Sequence, residues 1–225
     1  MDWIALFLTL RLALMVCLLL LAIGLPVSYW LAFSRWRAKF LVEAVVTLPL
    51  VLPPTVLGFY ILVAMGPRSP LGRVWISIFG QPLPFTFSGL VAASVLYSLP
   101  FMVQPVASAF SAVDPRLLAA SSTLGVTRWG TFRRVILPLS ASGILTGLVL
   151  TFAHTLGEFG VVLMVGGNIP GVTRTLSVSI YDRVQALDYN SAAATSLFLL
   201  VLSFVILAFV YGLNRNARAI WPGAR

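Results

Sequence analysis

Apolar positions in this chain do not recur at the helical or strand period that marks a half-buried element. They come in long blocks, parted by short polar pieces. Blocks at residues 12–33, 40–65, 87–110, 135–155 and 192–213 each reach the roughly 20 residues that a helix needs to cross a bilayer. None shows the dyad alternation of an outer-membrane barrel, and backbone groups in hydrocarbon must be satisfied within their own segment, so the spans are helices. The second block is interrupted by LPLVLPPTVLG, where Pro49, Pro53, Pro54 and Gly58 cluster, and the third contains Pro100 and Pro105. A lone proline is a tolerated kink in a membrane helix, whereas a dense break at membrane depth belongs more often to a pathway lining. The stretch FGVVLMVGG, residues 159–167, is too short to span; it either extends the fourth helix or dips back into the membrane. The pattern predicts an all-α integral membrane bundle of five spans, six if 159–167 counts as one, in a single domain over residues 1–225.

Composition agrees. Hydrophobic residues make up 60% of the chain and charged ones 9%, against about 25% in soluble proteins. The mean hydropathy is +1.01. The one cysteine, Cys17, lies in the first block and leaves no intrachain disulfide or cysteine-based metal site. The opening MDWIALFLTLRL has no basic region before its apolar run and reads as a retained helix, not a cleaved signal.

The net charge of +9 would suggest nucleic acid in a soluble protein, but here it sorts by side. Arg35, Arg37, Lys39, Arg116, Arg128, Arg133, Arg134, Arg215, Arg218 and Arg225 fall on one side of the predicted spans; Arg11, Arg68, Arg73, Arg174 and Arg183 fall on the other. The positive-inside rule then places the N-terminus outside and the C-terminus in the cytoplasm. Membrane lipid is an expected partner and nucleic acid is not.

One basic insert interrupts the blocks: DPRLLAASSTLGVTRWGTFRRVILP, residues 114–138. Asp114 as N-cap and Pro115 at the first helical position start a helix, and Gly125 stops it after about ten residues, roughly 15 Å. Ala119, Ala120, Ser121 and Ser122 leave one flank almost without side chains, while Leu117, Leu118 and Leu124 supply apolar anchors. Such a helix suits a groove on another protein; equally, it could lie on the membrane surface with its arginines toward lipid phosphates. The chain has no phosphate-binding G-x-x-x-x-G-K-[S/T], and its one lysine is Lys39, so ATP chemistry of that kind would have to come from another subunit.

Residues 114–138 resemble the signature loop of ABC importer permeases, EAA, three residues, Gly, nine residues, Ile-x-Leu-Pro. Ala119-Ala120-Ser121, Gly125, Val135, Leu137 and Pro138 match its spacing, with Ala119 in place of the glutamate and Ser121 in place of the second alanine. The resemblance implies a type I ABC importer permease whose coupling helix, in a cytoplasmic loop at 114–134, docks on a separate ATPase. The coupling residues it implies are Leu117, Leu118, Ala119, Ala120, Ser121, Gly125, Arg128, Val135, Leu137 and Pro138.

A second stretch, HTLGEFGVVLMVGGNIPGVTRT from residue 154 to 175, sets His154 and Glu158 one turn apart. An acid within a membrane helix is a functional candidate, although a hydrogen bond that fixes the helix end would also account for it. The glycine-rich GGNIPGVTRT could offer backbone N–H groups and Arg174 to an anion, or be a plain external turn. TLGEFG with GGNIPGVTRT, LPLVLPPTVLG and IYDRVQALDYNSAA is similar to the sulfate/molybdate/tungstate branch of these permeases, and NIPG-x-TRT to its molybdate members. This implies a homodimer with two ATPase copies that bind the ATP and magnesium, no cofactor in this chain, and an oxyanion-binding protein that loads it from outside. Molybdate is the implied substrate, with tungstate or sulfate as alternatives. Candidates for the pathway are Pro53, Pro54, Thr155, Glu158, Gly160, Asn168 and Arg174. An ion-coupled secondary transporter would usually show internal repeats, and none is found. A membrane-embedded enzyme would need paired carboxylates, HExxH or a Ser/His/Asp set, none of which the single histidine supports; no metal site is expected.

Overall fold

The computed structural model describes residues 2–220; Arg225, counted above with the basic tail, lies outside them. All regular elements among the described residues are helices. α1 (Trp3–Phe33) begins where the Asp2 carboxylate accepts from the Ala5 N–H at 3.0 Å and continues through Pro26. The second apolar block is broken into α2 (Lys39–Val51) and α3 (Pro54–Met65), whose axes are bent by 116°. Leu52 and Pro53 between them are extended, ψ 138° and 136°, because each precedes a proline that disfavours the helical conformation. The two halves pack at different levels of the long helix Phe87–Ser111. Val46 of α2 packs with Leu31 and Val103, whereas Ile61 and Met65 of α3 pack with Leu83 and Ala93. Ala93 and Val103 are about 15 Å apart at the helical rise.

α4 (Pro70–Phe79) is a short surface helix, capped by Ser69, and α5 (Phe87–Ser111) passes unbroken through Pro100 and Pro105. The loop after it carries α6 (Pro115–Thr123), α7 (Arg128–Thr131), a π-helical turn at Phe132–Ile136 and α8 (Leu137–Leu139). The membrane helix α9 (Ala141–Gly157) follows, then α10 (Gly160–Gly166), α11 (Leu176–Gln185) and α12 (Tyr189–Ile220).

One expectation needs correction, and one of two open alternatives closes. The fourth span does not run over 135–155: residues 128–139 are bent by 69° from Ala141–Gly157, so Val135, Leu137 and Pro138 belong to the loop. Pro138 has no N–H for the preceding turn, which widens until the Leu137 N–H reaches the Phe132 carbonyl. Ser140 is the joint, its hydroxyl donating to the Ala109 carbonyl at 3.2 Å. Residues 159–167 do not extend α9 either. The helix ends at Glu158 (φ −65°, ψ 132°), and α10 starts afresh as a buried wedge between α3 and α5.

α1, α5 and α9 make the central packing unit, with Leu12, Val16, Leu20, Met102, Val106 and Phe110 at its core. Small residues let these helices approach closely: a Cβ on Gly24 would lie 2.7 Å from Met102 Cγ, and one on Gly143 would collide with Ala109. Hydroxyls of α1 tie it to its neighbours, Ser28 donating to the Val103 carbonyl of α5 at 3.1 Å and Thr9 accepting from the Leu176 N–H of α11 at 2.8 Å.

Candidate functional site

The loop between α5 and α9 closes one end of the bundle. Asp114 accepts from the Arg116 N–H at 2.8 Å, and Pro115 takes the first helical position of α6. At the other end Gly125 is left-handed (φ +71°). Its N–H bonds the Ser122 carbonyl at 3.0 Å, while the Val126 N–H bonds that of Ser121 at 3.1 Å. This pair of bonds is the Schellman stop, which needs a residue free of Cβ strain at that position.

The two sides of α6 differ. Leu118 packs on the core, and the buried Ser121 shares a 2.7 Å hydrogen bond with the Thr131 hydroxyl, so Ser121 is not on the small-residue flank expected for a partner. Leu117, Ala120 and Leu124 share the outward side at helical spacing, with Ala119 beside them, and Leu124 is 80% exposed. After α6, Trp129 stacks on Phe132 at 5.5 Å. Phe132 in turn meets Tyr29 of α1 edge-on at 5.4 Å and Phe110 of α5 at 6.1 Å. The loop is therefore an apolar lever whose free face points away from the bundle and whose base is keyed by aromatic rings into two membrane helices. Val135 and Leu137 are half-buried at that base, and Arg128 and Pro138 are exposed.

A polar seam runs between α5 and the α9–α10 break. The Ser98 hydroxyl lies 3.0 Å from His154 Nδ1 and 3.2 Å from the Thr155 hydroxyl, and Thr155 donates to the Thr151 carbonyl at 2.8 Å. The His154 ring stacks on Phe101 at 4.0 Å, with Tyr97 at 4.8 Å. Glu158 is 5% exposed, and the side chain that reaches its carboxyl group is that of Ser94. The Thr151 hydroxyl is buried with no hydrogen-bond partner among the described residues. Glu158 is thus not tied to His154, whose ring nitrogen goes to Ser98.

The pathway candidates fall into two groups. Pro54 touches Gly160, where a Cβ would come within 2.6 Å of the proline, which puts the α2–α3 break against the α9–α10 break. Pro53 lies exposed beside it, while Thr155 and Glu158 sit on the α9 side. Asn168 and Arg174 belong to a separate outer cluster. Arg174 Nε donates to Asn168 Oδ1 at 2.6 Å, the Asn168 amide donates to Asp182 at 2.7 and 2.6 Å, and Arg174 stands 3.5 Å from Asp182. Ser94, Ser98, Phe101 and Asp182 escaped the sequence reading. The serines look like ordinary small residues of an apolar helix, and Asp182 is fourteen positions from its amide partner.

The described residues form an apolar helical bundle with two abutting breaks, a buried polar seam and a loop with an exposed apolar face, as a polytopic membrane protein would. Residues 24–219 match the family described as binding-protein-dependent transport system inner membrane component, and the chain belongs to that family. It is 51% identical to the molybdenum transport system permease protein ModB of Azotobacter vinelandii, covering 95% of each chain. Identity is 36% to ModB of Escherichia coli strain K12, covering 96% of each. The sulfate transport system permease protein CysT of the same strain is 32% identical over 82% of this chain and 66% of its own. Among solved structures, a bacterial alginate ABC transporter in complex with its alginate pentasaccharide-bound periplasmic protein superposes with a TM-score of 0.75 at 19% identity, over 95% of this chain and 78% of that one. The MetNI methionine ABC transporter gives 0.70 at 18%, over 94% of each. The expected fold, a helical ABC importer permease, is the one found.

Proposed function

We propose that the chain is the translocation subunit of an ATP-driven molybdate importer in a bacterial inner membrane. It works as a homodimer, with two copies of a separate ATPase that binds ATP and magnesium. An oxyanion-binding protein delivers substrate to the opposite face. The loop end is cytoplasmic and the N-terminus lies outside, as the distribution of basic residues requires. The observation that carries this reading is the 51% identity to the molybdenum permease ModB over 95% of both chains, against 32% to the sulfate permease CysT.

The physics demands such a machine. A dianion faces a prohibitive desolvation cost in hydrocarbon. Against an inside-negative potential, two charges add about 5 kcal/mol per 100 mV, so a passive pore would not concentrate it. The outward face of α6 (Leu117, Ala120, Leu124) takes the push of the closing ATPase, and Phe132 passes it to α1 and α5 through Tyr29 and Phe110. The abutting breaks at Pro53–Pro54 and Glu158–Gly160 are where the spans can change direction without breaking helical hydrogen bonds.

The test is uptake of labelled molybdate into proteoliposomes that hold the reconstituted complex, with ATP on the loop side and the binding protein on the other. The expected result is ATP-dependent uptake that excess tungstate suppresses and tenfold sulfate leaves largely intact. Uptake of sulfate without molybdate would overturn the substrate while leaving the architecture.

A further inference from the structure

Beside the loop, two cavities adjoin across shared wall residues. The first, about 600 Å³, is lined by Tyr29, Phe33, Arg35, Leu118, Arg128 and Thr131 among others; the second, about 700 Å³, shares Tyr29 and Arg128 with it. The second is an open groove. Leu18, Leu21, Ala22, Leu25, Pro26 and Tyr29 recur along one face of α1, and Trp129 and Phe132 close its end. From Leu18 to Tyr29 the groove extends roughly 16 Å at the helical rise. That is about half of a 30 Å hydrocarbon core, the depth of one leaflet.

The first cavity supplies what a lipid's other end needs. Arg35 and Arg128 both line it, with Ser122 and Thr131, and among the described residues no carboxylate does. The ion pairs among the described residues involve Lys39, Arg174 and Arg183, so neither Arg35 nor Arg128 has an acidic partner there. Trp129, 69% exposed at the junction, is the amphipathic ring that membrane interfaces favour. The cavity also lies on the Leu118 side of α6, away from the outward face of Leu117, Ala120 and Leu124.

From this we infer that the paired cavities hold an anionic phospholipid, its phosphate between Arg35 and Arg128 and an acyl chain along α1. Basic pockets at the ends of membrane helices select anionic headgroups in this way. An acidic side chain of a partner could neutralise the arginines, but it would leave the adjoining leaflet-deep groove unexplained. The lipid joins the end of α1 to the loop and leaves the docking face free. The assignment to the inner leaflet rests on the orientation proposed above; the site itself does not.

The experiment is native mass spectrometry of the whole complex, extracted gently from bilayers of phosphatidylethanolamine with phosphatidylglycerol. Wild type should retain phosphatidylglycerol. Removing each arginine, Arg35→Gln and Arg128→Gln, should lower its occupancy about fivefold, as one basic residue at a membrane surface is worth. Arg116→Gln, on the same loop but outside the cavity, should leave it unchanged. Ala22→Trp, which fills the groove and spares both arginines, should also expel the lipid. Equal retention in the double arginine variant would overturn the inference. Retention in Ala22→Trp with loss in the double variant would overturn the acyl chain along α1, since the arginines alone would then hold the headgroup. The readout is lipid mass, so a failed uptake experiment and an empty lipid site remain separate results.

Discussion

Glu158 is costly to bury. A carboxyl group only 5% exposed, reached by the single hydroxyl of Ser94, carries a desolvation cost that packing does not offset. Replacing it by leucine of comparable bulk removes that cost, worth on the order of 1–3 kcal/mol. The purified subunit should then melt higher, by about 2–4 °C per kcal/mol for a chain of this size, while uptake falls because the group that adjoins the break has gone. A lower melting temperature would mean that the carboxylate is satisfied in the assembled protein. Arg174 tells the opposite story. Its charge is held by Asp182 and Asn168, so Arg174→Gln and Asp182→Asn should depress uptake to a similar degree, and the double variant little further. An Arg174→Gln effect on substrate KM that Asp182→Asn does not share would assign the arginine to the anion instead.

Among the elements, the loop helix was the most legible in the sequence. Asp114, Pro115 and Gly125 are cap residues whose meaning is local, and the structure places each in its expected role. Gly125→Ala should therefore cost about 1–2 kcal/mol in the left-handed position and weaken ATPase stimulation, whereas Gly125→Asn, which tolerates that conformation, should largely keep it. Equal effects would show that the stop is not what matters. The third apolar block was read almost to the residue, since proline within a long apolar run left α5 whole. Less legible were the joints. Hydropathy carries no information on direction, so the 69° bend at Ser140 and the fresh start at Gly160 stayed hidden within one apolar stretch. The inward turn of Ser121 depends on Thr131, ten residues away, a tertiary fact that no helical period contains. α4 and α11, each ten residues, were too short for a span search to register.

At the scale of the whole molecule the breaks and the loop are joined through the bundle. Breaks in the spans meet at Pro54 and Gly160, and the loop that would receive the force is keyed through Phe132 into α1 and α5. The one measurement that tests this most directly is ATP hydrolysis by the reconstituted complex, with and without molybdate-loaded binding protein, in wild type and in Leu124→Asp. Leu124 is 80% exposed, so the charge disturbs no packing within the chain and acts only on what docks there. A control at Leu124→Met keeps that face apolar. Stimulation should fall tenfold or more in Leu124→Asp and be largely kept in the control. Full stimulation in Leu124→Asp would contradict this, because the face of α6 would then not be where the ATPase pushes.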